Sequence, residues 1–191
     1  MNPQLWPYTS SIIEVIMKRE WSEAELSVLR DQTSDEDPVV RREAARRIGN
    51  TGDKDSIEYL IKLLEDEDGT VRSYAAGALR IGDVSNSKHL IRALQDEEPQ
   101  VVNAAISALE SCYESDEAIR QVGKFLHHEN SNLALSAIYT LRHIGELRTQ
   151  SGIDNILTID TLLSAKNHED RHLRKRVHWA LHHCGHDYRF V

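Results

Sequence analysis

Apolar residues fall four apart in five stretches of the chain: Val40, Ala44 and Ile48; Val71, Ala75 and Leu79; Val101, Ala105 and Leu109; Leu133, Ala137 and Leu141; Leu173, Val177 and Leu181. That spacing places each set on one face of a helix. Three of these stretches lead into a second helical pattern: Ile57, Leu60, Ile61 and Leu64; Leu90, Ile91 and Leu94; Ile119, Val122 and Leu126. Acidic loops precede the first helices as Asp35-Glu36-Asp37, Asp66-Glu67-Asp68 and Asp96-Glu97-Glu98, and Pro38 and Pro99 follow two of them at the first helical position. There a missing N–H costs nothing. Self-similarity with a period of about thirty residues and two helices per unit predicts stacked repeats. The expected fold is all-α, a right-handed α-solenoid of about five helix pairs.

The ends depart from the regular pattern. Ile12, Ile13, Ile16 and Met17 predict a helix over 10–19, and Ser22 with Glu25 has the spacing of a capping box for the next. Trp6, Pro7 and Trp21 are expected to cover the open end of the stack. Residues 1–34 thus read as a capping pair and 35–145 as the regular repeats. Residues 146–191 read as an irregular last repeat with a tail, its second helix expected over 153–165 after a longer connection. The whole is read as one domain. Recurring Ala at the middle of the first helices lets neighbours approach closely, and Gly123, inside an expected helix, is read as another point of close approach.

The units Asp-Pro-x-Val-Arg, Ala-Ala, Leu/Ile and Gly-Asp, followed by Leu60-Ile61-Lys62-Leu63-Leu64-Glu65-Asp66, resemble HEAT repeats. More narrowly they resemble the short HEAT-like repeats of the phycobilisome-lyase type. The resemblance implies a scaffold that binds another protein through the concave face of a HEAT-like solenoid. Its alternatives are an immunity-type protein that neutralises a basic toxin through an acidic surface, and a phycobilin lyase-like chromophore-attachment factor. HEAT-type di-iron hydroxylases carry His-Glu where this chain has Arg42-Glu43 and Ser73-Tyr74, so their metal ligands are absent.

Composition narrows the partners. The 191 residues carry a formal charge of −8, which argues against a phosphate-backbone ligand. No stretch reaches the roughly 20 apolar residues of a membrane span. The start lacks the basic region of a signal peptide. Cys112 and Cys184 have no metal-motif spacing and read as small buried residues. The expectation is a cytoplasmic protein that binds another protein. A nucleic acid, a membrane, a small molecule or a cofactor is not expected, and neither is enzymatic activity.

Candidate chemistry is sparse. His168/His172 and His178/His182 have the i,i+4 spacing that can share a metal, but no further ligand recurs to complete a site, so no metal is expected. The acidic clusters are expected to cap helices, and Arg41 and Arg72, in step with them, to tie neighbouring repeats together. The candidate partner-binding site is a column on the second helices, taken to line the concave face: Lys62, Arg92 and Lys124, with Tyr59 and His89 beside them. Glu58, Lys88 and Arg120 flank it. An acidic segment of a partner would lie along this track.

Overall fold

The computed structural model describes residues 21–82 and 84–185. Ten α-helices follow one another within them: α1 (Glu23–Gln32), α2 (Pro38–Thr51), α3 (Ile57–Leu63), α4 (Gly69–Ala78), α5 (Ser87–Ala93), α6 (Pro99–Ala108), α7 (Asp116–Gly123), α8 (Ser131–Gln150), α9 (Ile156–Leu163) and α10 (Arg171–His183). Short 3₁₀ turns join or finish several of them, as at Leu79–Ile81, Leu109–Cys112 and Lys124–His127. No strand occurs among the described residues. The chain is an α-solenoid. The helix expected over 10–19, Trp6, Pro7 and the tail from His186 lie outside the described residues.

Helix starts follow from the polar residues before them. Ser22 and Glu25 form both bonds of a capping box at α1. Asp37, Asp68, Asn130 and Asp170 each accept a hydrogen bond from the first turn of α2, α4, α8 and α10. Two residues before each of those N-caps, and before Glu98 at α6, another side chain accepts from the N-cap's own N–H. These are Asp35, Asp66 and Asp96 through a carboxylate, then His128 and His168 through Nδ1.

The loops are tied across repeats by arginine. Arg41 donates to both carboxylate oxygens of Asp66 and to the carbonyls of Asp35 and Glu36. Arg72 repeats the pattern one unit on, with Asp96 and the carbonyls of Asp66 and Glu67. Each guanidinium therefore holds its own loop and grips the next.

Stops differ from helix to helix. Gly52 ends α2 in the left-handed region at φ 72°, a conformation that costs glycine little. Gly145 does not end α8, which runs on through it to Gln150 and stops before Gly152 at φ 70°. Of the second-helix positions expected inside, Leu60, Leu90, Leu94, Ile119, Val122 and Leu126 are buried. Ile57, Ile61, Leu64 and Ile91 are only half-buried and Leu63 is buried instead. A 3₁₀ turn at Lys54–Ser56 leads into the short α3, whose buried positions are Leu60 and Leu63.

The two layers are spaced unequally. The first helices α2, α4, α6, α8 and α10 lie side by side in close contact, through Ala44, Ala45, Ala75, Ala76, Ala105 and Ala137, all fully buried. A Cβ on Gly49 of α2 would come 2.9 Å from the Ala78 Cβ of α4. The second helices α1, α3 and α5 pack mainly on first helices and scarcely touch one another. A stack bends toward its tighter layer, so close packing of the first helices through small side chains argues that they form the inner side, where the expectation had placed the second helices.

Candidate interaction surface

The expected track stands on the outer layer. Tyr59 is half-buried, with Lys62 Nζ 5.2 Å and Arg30 6.0 Å from its ring centroid. Glu58 and Lys88 are exposed. Burial, and then the charges of Lys88 and Arg92, hold His89 below the ordinary histidine value. Lys62, His89 and Arg92 line a groove of about 660 Å³ between α3 and α5, together with Glu65 and Asp96.

The cations of this track are largely met by their own neighbours. Arg92 pairs with Glu65 at 3.2 Å, and Arg120 lies 3.9 Å from Asp116 and 3.8 Å from Glu117. Lys124 donates to Gln121 at 2.7 Å. The structure brings Tyr59, Lys62, His89 and Arg92 together, while Arg120 and Lys124 sit on and just after α7. It does not make them one cationic strip.

The histidines of the last repeat disperse. His168 caps a loop and stacks on His127 at 5.2 Å, and His178 Nε2 lies 3.0 Å from the Lys166 carbonyl. Among the described residues no three His, Cys, Asp or Glu side chains converge as a metal ion would require.

The inner face carries a different chemistry, which the sequence reading missed. Arg42 of α2 lies 5.6 Å from the Tyr74 ring of α4. Arg142 of α8 lies 4.8 Å from the Trp179 ring of α10, and Arg176 of α10 reaches back to within 6.0 Å of Tyr139 on α8. Tyr139 and Trp179 meet edge to face at 5.7 Å. These pairs bridge successive first helices, with one member of each open to solvent: Tyr74 is 41% and Trp179 36% exposed and Arg176 is exposed, while Arg42, Tyr139 and Arg142 are half-buried. Arg142 also donates to Glu146 at 2.5 Å, while its buried Nε has no partner among the described residues. A groove of about 550 Å³ between α2 and α4 is lined by Arg46, Tyr74, Gly77 and Arg80. Between the two aromatic clusters, α6 presents exposed Asn103 and Ser107, and the Asn103 carbonyl oxygen accepts from Ser136 of α8.

A signal for this face lay in the chain. Trp179 is one of only three tryptophans in a sequence that is 6% aromatic, and it falls on a helix of otherwise polar exposed positions.

The profile described as HEAT repeats matches residues 26–110. That part of the chain is made of HEAT-like repeats. No curated protein matches it. Among solved structures, this HEAT-like chain is similar to the CpcE–CpcF complex of phycocyanin lyase from Nostoc sp., with a TM-score of 0.65 and 17% identity over 83% of this chain and 99% of that one. It is similar to an engineered protein at a TM-score of 0.58 and 21% identity, covering 92% of this chain and 82% of that one. A designed armadillo repeat protein in complex with the peptide (KR)4 gives 0.57 and 18%, covering 92% and 84%. At these identities the likeness is one of fold, and no described helix is long and apolar enough to cross a membrane.

Proposed function

We propose that this HEAT-like protein is a binding module, not a catalyst, and that it holds an extended segment of a partner protein along its inner, first-helix face. The observation that carries this reading is the set of arginine–aromatic pairs bridging neighbouring helices there, each with one exposed member, Tyr74, Arg176 or Trp179: Arg42–Tyr74, Arg176–Tyr139 and Arg142–Trp179. Tyr, Trp and Arg supply most binding hot spots, because they offer large, rigid, amphipathic contact area. The outer layer instead exposes Lys62, Lys88 and Lys124, and lysine is depleted at such interfaces. A designed armadillo repeat protein of similar fold is complexed with a charged peptide, which supports the idea that a solenoid of this kind can hold an extended chain.

The acidic loop edge supports the toxin-neutralising reading less well. Asp66 and Asp96 are already engaged by Arg41 and Arg72. Exposed Glu36, Glu67 and Glu97 are left to meet a basic partner.

Peptides selected from a random phage-displayed library test the reading. Their affinity is measured by calorimetry for three variants: Tyr74→Ala with Trp179→Ala on the inner face, Lys62→Glu with Arg92→Glu and Lys124→Glu on the outer track, and Glu67→Lys with Glu97→Lys on the loop edge. The expected result is a loss of at least about tenfold in the inner-face variant alone, as for hot-spot removal. If the inner-face variant binds like the parent while the outer or edge variant fails, the inner-face reading is overturned.

A further inference from the structure

The inner face is charged unlike the molecule as a whole. Against a net charge of −8, its guanidinium groups come from Arg42, Arg46, Arg80, Arg142 and Arg176, and its carboxylates from Glu43, Glu110 and Glu146. Those carboxylates are engaged: Glu43 is gripped by Arg46 at 2.6 Å, Glu110 meets His143 at 3.0 Å, and Glu146 accepts from Arg142. The acidic loops that produce the net charge lie along the edge where the first helices begin.

The arginines are grouped. Arg46 and Arg80 line the groove between α2 and α4, while Arg142 and Arg176 flank Trp179 and Tyr139 on α8 and α10. Uncharged Asn103 and Ser107 of α6 lie between. With its carbonyl oxygen taken by Ser136, the Asn103 amide keeps its N–H groups to donate to a peptide carbonyl.

Resting on the inner-face reading above, we propose that the segment held there is acidic, with two carboxylate-bearing ends joined by a short polar middle. Packed helices lie about 8–10 Å apart, and an extended chain advances about 3.3 Å per residue, so one repeat spans about three residues. The four steps from α2 to α10 then take about a dozen residues. One acidic end meets Arg80, with Arg46 beside it shared with Glu43, and the other meets Arg176, with Arg142 held beside the Trp179 ring by Glu146. Guanidinium suits this task because it binds carboxylates bidentately while stacking on an aromatic face. A basic segment would meet the arginines unpaired. A long polyphosphate would have to run past the acidic loops at the edge of the same face.

The test uses fluorescein-labelled dodecapeptides with the repeats Glu-Ser-Ser, Lys-Ser-Ser and Gln-Ser-Ser, together with a twelve-nucleotide oligo-dT. Binding to the full chain is followed by anisotropy at low and high salt. The acidic peptide is expected to bind at least about tenfold tighter than the others and to weaken steeply with salt. Arg46→Gln with Arg80→Gln, two outward-facing positions whose loss spares the core, is expected to weaken it about tenfold. A Gln or Lys peptide binding as well as the Glu peptide, an oligo-dT that binds tighter, or no binding by the acidic peptide overturns the proposal.

The outcome is separable from that of the underlying reading. Library peptides that need Tyr74 and Trp179 but carry no acid leave the inner face in place and sink the acidic segment. Acidic-peptide binding that survives Arg46→Gln with Arg80→Gln, yet is lost on Lys62→Glu with Arg92→Glu, removes the inner face itself.

Discussion

Arg41 and Asp66 stand in different repeats and share two hydrogen bonds of 2.7 Å, with side chains only 10% and 7% exposed. Asp66 at the same time accepts from the Asp68 N–H that opens the next first helix. One carboxylate thus joins a helix start to the repeat before it. Removing Arg41 strips the buried Asp66 of its charged partner, and removing Asp66 leaves Arg41 with two loop carbonyls and exposed Glu67 at 3.5 Å; breaking such a pair is the costly step. Asp66→Asn is expected to destabilise the fold by about 2 kcal/mol, and Arg41→Met by a similar amount, while breaking the exposed pair Arg46–Glu43 is expected to cost much less. Urea unfolding of the three variants checks the order. Equal midpoints for Asp66→Asn and Glu43→Gln would contradict it.

The same carboxylates set an acid limit. Burial pushes Asp66 up, but hydrogen bonds from Arg41 and the Asp68 N–H overcome it and leave the group below the ordinary aspartate value. Asp96 is held low first by Arg72, against burial, and then by the Glu98 N–H. A carboxylate whose folded value lies below its unfolded one, near about 3.9, stabilises the fold above that pH. The contribution is lost as pH falls through the folded value. Stability is therefore expected to hold down to about pH 5 and to fall below about pH 4. In the variant Asp66→Asn with Asp96→Asn the starting stability is lower and this acid limb is flatter, as urea titrations at stepped pH will show.

How far the chain could be read without coordinates follows from where each signal resides. Repeat boundaries and caps depend on neighbours in sequence, such as Asp37 beside Pro38, so they were legible. The tie from Arg41 to the next loop was legible too, because arginine and acid recur in step. Which layer lies inside depends on spacing between repeats, and the alanine column of the first helices held that information unused. The Arg142–Trp179 pair joins the irregular last units, where no repeat register carries one residue onto the other. It became visible only in three dimensions.

The loop ladder changes chemistry part-way along the stack. Arg41 and Arg72 sit four residues after the N-caps Asp37 and Asp68, and the matching positions after Glu98 and Asn130 hold Val102 and Ala134. Where the arginine is missing, the aspartate of the next loop is missing too: His128 and His168 take the places of Asp66 and Asp96 and keep only the bond from the N-cap N–H. The arginine returns at Arg174, which grips the carbonyls of His168 and Glu169. Val102→Arg alone buries an unpaired charge and is expected to destabilise the chain. Together with His128→Asp it rebuilds the ladder. A double-mutant cycle is expected to show favourable coupling of about 1 kcal/mol or more, and additive effects would refute the shared register.

Two glycines inside first helices make opposite demands. At Gly145 of α8 a Cβ would fall 2.4 Å from Cys184 Sγ and 3.5 Å from Thr158 Cγ2, so α8 and the end of α10 meet only because nothing projects there. At Gly77 of α4 a Cβ would meet nothing within 4 Å. Gly77→Ala should therefore stabilise the chain by about 0.5–1 kcal/mol, through helix propensity and a less flexible unfolded state. Gly145→Ala should destabilise it by about 1–3 kcal/mol through overpacking. Cys184 offers a local readout. Burial pushes its thiol up to about 11, so in the parent it is slow to react with a thiol reagent at pH 8. Prying α8 from α10 in Gly145→Ala exposes that sulfur, and its labelling is expected to speed up several-fold under conditions where the fold persists. Unchanged labelling and unchanged stability in Gly145→Ala would show that the close approach is not required.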